Sequence, residues 1–273
     1  MIPATFDYTR AGSADEAVSL LAEHGEDAKL LAGGHSLLPL MKLRLATPAM
    51  LVDIGRVADL SYVRDAGDHV AIGALTRHRD LEISDVLASS VPILAHAAHL
   101  VGDPQVRHRG TIGGSISHGD PASDLPAVVL ALGGTMVARG PGGQREIPAA
   151  EFFQGFLETS LQPDELLTEI RVPKTNGGWS YQKFNRRAQD WAIVGVAAAR
   201  VDGVVQVALV NMGSTPLRAT AVEQALAGGA SAADVADQAP EGLDPPSDLN
   251  ASPEYRRHLA QVLTRRALEE AGA

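Results

Sequence analysis

The 273-residue chain has no cysteine, and this absence excludes several kinds of functional site. Disulfide bonds, a thiol nucleophile, zinc held by cysteine and an ordinary iron–sulfur cluster all require that side chain. Aromatic residues are also scarce, at 4%, so there are few platforms on which the bases of single-stranded nucleic acid could stack. The formal net charge of −10 opposes binding to a phosphate backbone. We therefore predict no nucleic-acid partner, and we assign no metal site.

Targeting signals and long apolar runs are missing as well. The first residues lack the basic start and the apolar stretch of a signal peptide. No window approaches the ~20 consecutive apolar residues that a membrane-spanning helix needs. We therefore expect a cytoplasmic protein without a transmembrane segment.

The residues that are present predict a chain of short, alternating helices and strands. Apolar residues make up 45% and charged residues 21%, which is typical of a globular protein with a proper core, and the length suits two domains. Apolar spacing and capping residues predict helices over residues 13–24, 92–101, 123–132, 215–227 and 253–271. Strands are predicted over residues 29–32, 51–54, 69–75, 135–139, 145–147, 166–173 and 204–212. The glycine-rich segment 174–179 predicts the main domain boundary.

Two glycine pairs are the strongest candidates for a binding site. The first pair lies in the segment AGGHS (32–36), after an apolar strand, and the second in RGTIGGS (109–115). Adjacent glycines let a backbone approach a ligand closely and adopt positive φ, so that successive N–H groups can converge on an anion. Neither pair fits the Rossmann or Walker pattern. The alternative interpretation is that each pair forms an ordinary tight turn.

Three long segments resemble one known family. Residues 29–44, 106–132 and 181–199 are similar, in the same order, to the FAD-binding medium subunit of molybdenum hydroxylases, above all to its aerobic carbon monoxide dehydrogenase branch. Residues 253–268 are typical of the C-terminal domain of that family. The resemblance implies an α+β fold, with a two-part FAD-binding domain of the vanillyl-alcohol-oxidase (PCMH) type and a smaller α/β domain. We accordingly divide the chain into residues 1–176, with subdomains of about 1–55 and 56–176, and residues 177–273.

The resemblance also implies which residues hold FAD. Segments 32–36 and 111–115 would hold its pyrophosphate and ribityl chain, and Asp124 would bind one of its hydroxyl groups. Leu167 would pack on the isoalloxazine ring, with Lys183 and Trp191 beside it. The candidate cofactor-binding residues are Lys29, Leu31, Ala32, Gly33, Gly34, His35, Ser36, Leu37, Thr111, Ile112, Gly113, Gly114, Ser115, Asp124, Leu167, Lys183 and Trp191. We predict that FAD is bound non-covalently, since cysteine is absent and His35 is the only histidine within the two glycine motifs.

Some of these residues also have a purely structural interpretation. Asp124 can complement a helix dipole, Lys183 can be a strand-edge lysine, and Trp191 can be a core residue. The chain also departs from the family: it has His108 where asparagine is frequent and Trp191 where tyrosine is common. The lack of cysteine excludes the relatives that carry an additional iron–sulfur cluster in this subunit.

The function implied by the resemblance is electron transfer, with no catalytic acid or base in this chain. A large partner subunit would hold molybdopterin, and a small one would pass electrons from [2Fe–2S] clusters to FAD and on to an external acceptor. The complex would be a dimer of heterotrimers that oxidises carbon monoxide. The alternatives are the same subunit in an enzyme for an aldehyde or an N-heterocycle, or a nucleotide-binding scaffold without redox turnover.

Overall fold

The computed structural model describes residues 1–175 and 177–273. The strands of this part of the chain are β1 (Asp7–Arg10), β2 (Ala28–Leu31), β3 (Met50–Asp53), β4 (Val63–Asp65), β5 (His69–Gly73), β6 (Thr135–Gly140), β7 (Gly143–Pro148), β8 (Phe153–Gly155), β9 (Glu158–Thr159), β10 (Leu166–Pro173), β11 (Trp179–Phe184), β12 (Val194–Val201), β13 (Val204–Val210) and β14 (Leu217–Arg218). The α-helices are α1 (Ala14–His24), α2 (Leu37–Lys42), α3 (His78–Glu82), α4 (Asp85–Ser90), α5 (Pro92–His99), α6 (Pro104–Arg107), α7 (Ile112–His118), α8 (Asp124–Ala131), α9 (Ala149–Phe152), α10 (Thr220–Ala227), α11 (Ala232–Val235) and α12 (Pro253–Glu270).

The N-terminal part is a small parallel sheet with the order β1-β3-β2. Helix α1 begins at a capping box: Ser13 accepts a hydrogen bond from the Glu16 N–H, and the Glu16 carboxylate accepts one from the Gly12 N–H. The buried face of α1 carries Val18 and Leu21, which pack in one core cluster with the strand residue Val52. This packing fixes the end of β2, from which the first glycine segment emerges.

The middle part is an antiparallel sheet with the order β4-β5-β10-β6-β7. Its central strand β10 pairs Ile170 with Ile72 on one side and with Met136 on the other. Helix α8 is buried along its whole length because nearly every side chain after Asp124 is apolar. The apolar core of this sheet is continuous with residues of the next sheet, including Tyr181 and Ala208.

The C-terminal part is an antiparallel sheet with the order β11-β12-β13-β14, covered by α10 and α12. On α12, Leu259, Leu263 and Leu268 lie in the same core cluster as Val196 of β12. Helix α8 of the middle part contacts β12 and β13. Helix α8 therefore holds the middle part and the C-terminal sheet close to each other.

Most of the predicted elements are present, with two corrections. The helix predicted over residues 215–227 begins only at Thr220, because Leu217 and Arg218 pair with β13 as a short edge strand. The second glycine pair lies in the first turn of α7 and not in a loop. The predicted boundary segment 174–179 includes Asn176, which lies outside the described residues.

No helix within residues 1–175 and 177–273 combines the length and the apolar character that crossing a bilayer requires.

Candidate functional site

A cavity of about 680 Å³ lies where β2, the start of α7, β10 and β11 come together. Its volume is within the range of ligand and cofactor pockets, ~300–1,000 Å³. Of the candidate residues, the following line it: Lys29, Ala32, Gly33, Gly34, His35, Ser36, Leu37, Thr111, Gly113, Gly114, Ser115, Asp124, Leu167, Lys183 and Trp191. Residues from segments far apart in the chain therefore meet around a single space.

Two candidates do not line this cavity. Ile112 is fully buried in the core of the middle sheet, and Leu31 packs its side chain towards Gly34. Both residues support the shape of the glycine segments from behind.

The first glycine segment presents a row of unused donors. The backbone N–H groups of Gly33, Gly34, His35 and Ser36 have no hydrogen-bond partner among the described residues. Gly34 has a φ of 81°, a value that residues other than glycine rarely adopt. Successive N–H groups in a turn of this kind form a concavity that binds anions. The segment therefore fits a phosphate group.

Close packing of the two glycine segments explains why residue 33 is a glycine. A Cβ atom on Gly33 would lie 2.3 Å from the backbone oxygen of Arg109 and 2.9 Å from the Cα of Gly110. No side chain can be accommodated at that distance, so the two segments touch only because Gly33 lacks one. Position 33 therefore requires glycine because a side chain has no space there, and not because its φ is positive.

The second glycine segment differs from the first in its hydrogen bonding. The N–H groups of Ile112 and Gly113 donate to the carbonyl oxygens of Thr76 and Ala74 at 3.0 and 2.8 Å. The Gly114 N–H donates to the Thr111 hydroxyl at 3.2 Å. These amides are thus already engaged within the protein, and only the first segment offers a row of free donors. Gly113 is needed for close packing, since a Cβ there would lie 2.5 Å from Ala74.

A buried ionic cluster lies at the other end of the cavity. The Nζ atom of Lys183 donates to Asp124 Oδ2 at 2.8 Å and to the carbonyl oxygen of Leu100 at 2.9 Å. The Tyr181 hydroxyl donates to Asp124 Oδ1 at 2.5 Å. The side chains of Lys183 and Asp124 are each only 6% exposed. Both carboxylate oxygens of Asp124 therefore have partners from β11.

Burial controls the protonation behaviour of this cluster. Burial raises the pKa of Asp124, although Lys183 and Tyr181 act in the opposite direction. The pKa of Tyr181 is raised well above its usual value by burial and by the neighbouring Asp124 carboxylate. The charge of Lys183 is balanced at contact distance by Asp124, so the cation that the resemblance implies at this position is not a free one.

The remaining two candidates provide apolar surface. Leu167 is buried where β10 borders the cavity, whereas the Trp191 indole is 55% exposed at its edge. Trp191 is therefore not a core residue, and the structural interpretation of this position is wrong. An exposed indole beside a cavity offers a flat surface against which an aromatic ligand can pack.

Sequence reasoning did not identify several other residues that line the cavity, among them His78, Gly110 and His118. Gly110 and His118 lie within the resembling segment 106–132 but were not among its candidate residues, whereas His78 lies outside all three resembling segments, and the sequence carried no signal for it. Among the described residues, no group of His, Asp or Glu side chains is arranged to hold a metal ion.

A mixed helix-and-sheet framework around a large cavity, with a phosphate-compatible loop on its wall, is the architecture of a cofactor-binding protein. Comparison with known families agrees: residues 4–175 match the FAD binding domain in molybdopterin dehydrogenase. Residues 179–271 match the CO dehydrogenase flavoprotein C-terminal domain.

Individual relatives are similar over essentially the whole chain. The carbon monoxide dehydrogenase medium chain of Hydrogenophaga pseudoflava is 43% identical, covering 100% of this chain and 99% of its own length. The glyceraldehyde dehydrogenase medium chain of Sulfolobus acidocaldarius is 40% identical, covering 99% of each chain. A solved structure of the Hydrogenophaga pseudoflava carbon monoxide dehydrogenase superimposes with a TM-score of 0.96 at 45% identity, over 100% of this chain and 99% of the other.

The chain belongs to the family of FAD-binding medium subunits of carbon monoxide dehydrogenase-like molybdenum hydroxylases. The resemblance, the α+β fold class, the oxidoreductase assignment and FAD as the cofactor of this subunit are thereby confirmed.

Proposed function

We propose that this chain binds FAD non-covalently in the cavity and carries electrons between a partner subunit and an external acceptor. The observation that carries the proposal is the row of four N–H groups over residues 33–36 on the cavity wall, which have no hydrogen-bond partner in the described part of the chain. Successive backbone donors in such a turn form a site for an anionic acceptor. A pyrophosphate supplies several anionic oxygens for it.

The other cavity residues suit the rest of FAD. Leu167 and Trp191 provide apolar and aromatic surface for a planar ring, and Ser115 adds a hydroxyl group near the start of α7. Bound FAD supplies the capacity to accept and release electrons, and the protein supplies its binding and orientation. We propose the cavity-lining candidates as the FAD-binding residues and residues 1–176 and 177–273 as the two domains.

The membership of this family supports a proposal for the partner subunits. We propose a small subunit with [2Fe–2S] clusters as the electron donor and a large molybdopterin subunit as the site of substrate oxidation, in a dimer of heterotrimers. Trp191 and Asp190 line both the FAD cavity and a second cavity of about 710 Å³, so the proposed ring site is open to an approaching acceptor. Carbon monoxide is the proposed substrate because carbon monoxide dehydrogenase medium chains are 43% identical to this chain.

Purification of the native complex tests this proposal. We expect one FAD per copy of this chain, absorbance that is bleached by a reductant, and molybdenum and iron in the co-purifying subunits. Reduction of the flavin by carbon monoxide is compared with reduction by glyceraldehyde, because a relative 40% identical is a glyceraldehyde dehydrogenase medium chain. Flavin that is reduced only by the aldehyde would assign the complex to the alternative substrate class. A solitary chain without flavin would favour the non-redox scaffold.

A further inference from the structure

His78 is a buried histidine that borders the FAD cavity and has no role in the site described so far. It is the first residue of α3, is 5% exposed, and donates its backbone N–H to the carbonyl oxygen of Gly110 at 3.0 Å. Its ring packs against Gly110 so closely that a Cβ there would lie 2.9 Å from Nε2. Gly33 also packs against Gly110, because a Cβ on Gly33 would lie 2.9 Å from the Gly110 Cα. The imidazole is therefore one residue away from the anion-binding loop.

The two ring nitrogens of His78 differ in their surroundings. Nδ1 is fully enclosed and has no hydrogen-bond partner among the described residues. Nε2 is not enclosed in this way, and the ring lines the cavity, so Nε2 is the nitrogen that a ligand can reach. A proton on Nδ1 would be enclosed without an acceptor, whereas a proton on Nε2 can be donated to a ligand oxygen in the cavity. We assign the proton of the neutral ring to Nε2 on this ground.

The charge state of the ring supports the same assignment. Burial, with smaller contributions from the neighbouring His35 and Arg107, lowers the pKa of His78 to about 4. At neutral pH the ring is an uncharged donor of a single hydrogen bond. Donors of this kind bind anionic oxygens without placing a second buried charge beside them.

We propose that His78 is a further FAD-binding residue, whose Nε2–H donates to an oxygen of the pyrophosphate held by the loop over residues 33–36. This inference rests on the proposed FAD site and adds a side-chain donor to its backbone donors. The pyrophosphate is the part of FAD concerned, because the His78 ring packs against Gly110, which in turn packs against Gly33 of that loop.

The test compares two substitutions in the purified complex after its flavin has been removed. His78→Leu retains bulk and deletes the donor, whereas His78→Gln places an amide N–H near the position of Nε2. His96→Leu is the matched control, since His96 packs against Trp179 and does not line the cavity. Dissociation constants are measured for FAD, by the quenching of its fluorescence, and for ADP, which has the same pyrophosphate without the flavin.

We expect His78→Leu to raise the dissociation constants of both ligands by a similar factor of about 10- to 100-fold, because a hydrogen bond to a charged group is lost. His78→Gln should recover most of this loss, and His96→Leu should bind both ligands normally. The flavin-free His78→Leu chain should resist urea as well as the unaltered chain does, because the substitution removes an unpartnered Nδ1. A purely structural role predicts a loss of that resistance instead.

Three outcomes for His78→Leu would overturn the assignment of His78. The first is an unchanged affinity for FAD, and the second is a lower affinity for FAD with an unchanged affinity for ADP. The third is a lower stability in urea that accounts for the weaker binding. Failure of the unaltered complex to bind FAD at all would instead refute the proposed function. The two proposals therefore fail in different ways.

Discussion

Replacing Lys183 by methionine tests the buried ionic cluster directly. The substitution retains the length of the side chain and deletes its charge, so Asp124 remains in its buried position with only the Tyr181 hydroxyl as a partner. At 2.8 Å and an effective dielectric constant of ~20, the direct attraction lost is about 6 kcal/mol. Relaxation and water entry reduce this, and breaking buried pairs by removing one partner typically costs about 3–5 kcal/mol. We expect a loss of that size in the free energy of unfolding.

The loss should depend on pH in a defined direction. Burial already raises the pKa of Asp124, and removing Lys183 removes a group that lowers it. A carboxyl group whose pKa is raised on folding destabilises the folded state fully above that raised pKa, and the penalty fades as the pH falls towards the unfolded value of about 3.9. The deficit of Lys183→Met relative to the unaltered chain should therefore be largest near pH 8 and shrink on acidification.

Urea unfolding followed by circular dichroism provides the measurement, with Lys183→Met, Asp124→Asn and the double variant in parallel. Because each single substitution leaves a buried partner uncompensated, the double variant should lose far less stability than the two single losses combined. Lys174→Met is the control: its pair with Asp65 is exposed, and its loss should be much smaller. Additive single losses, or a deficit that grows on acidification, would refute the pairing of Lys183 with Asp124.

Two further predictions concern FAD binding. Gly33→Ala should weaken FAD binding by about 10-fold or more, since overpacking against the backbone of Arg109 costs about 1–3 kcal/mol. Gly142→Ala is the control and should retain nearly all of its FAD, because a Cβ there meets nothing within 4 Å and Gly142 does not line the cavity. The flavin content of the two purified variants decides, and equal loss would contradict this. Acid precipitation of the native protein should release all of its flavin to the supernatant, and yellow colour in the pellet would show a covalent link.

The parts of the fold that the sequence predicts are those whose signals lie within a few neighbouring residues. Helix α1 was recognised because Ser13 and Glu16 form its cap and the apolar residues follow at helical spacing. The start of α10 was placed wrongly because Pro216 suggests a helix start, whereas Leu217 and Arg218 pair with Leu209 and Ala208 of β13, eight and ten positions earlier in the chain. Pairing at a sheet edge is a tertiary effect, and local propensity does not contain it.

The candidate site shows the same limit at the level of hydrogen bonds. Both glycine pairs had the composition of an anion-binding loop, but only the first keeps its N–H groups free. In the second, Ile112 and Gly113 donate to Thr76 and Ala74, which lie 36 and 39 positions earlier in the chain, so no local sequence signal predicts the pairing. The resemblance named Asp124 and Lys183 as separate contacts to FAD, and only the folded chain reveals that they contact each other.

This mutual contact couples the cofactor site to the packing of the C-terminal sheet. Asp124 begins α8 of the middle part, whereas Lys183 and Tyr181 lie on β11, so the buried carboxylate has its partners only when β11 is docked. A ligand that binds the cavity formed in this docked state stabilises it by mass action, and docking must strengthen ligand binding by the same free energy. Substitutions that loosen β11 without touching the glycine loop, such as Tyr181→Phe, should therefore weaken FAD as well as stability. A variant that loses stability at β11 while its FAD affinity stays unchanged would show that the cavity forms independently of the C-terminal sheet.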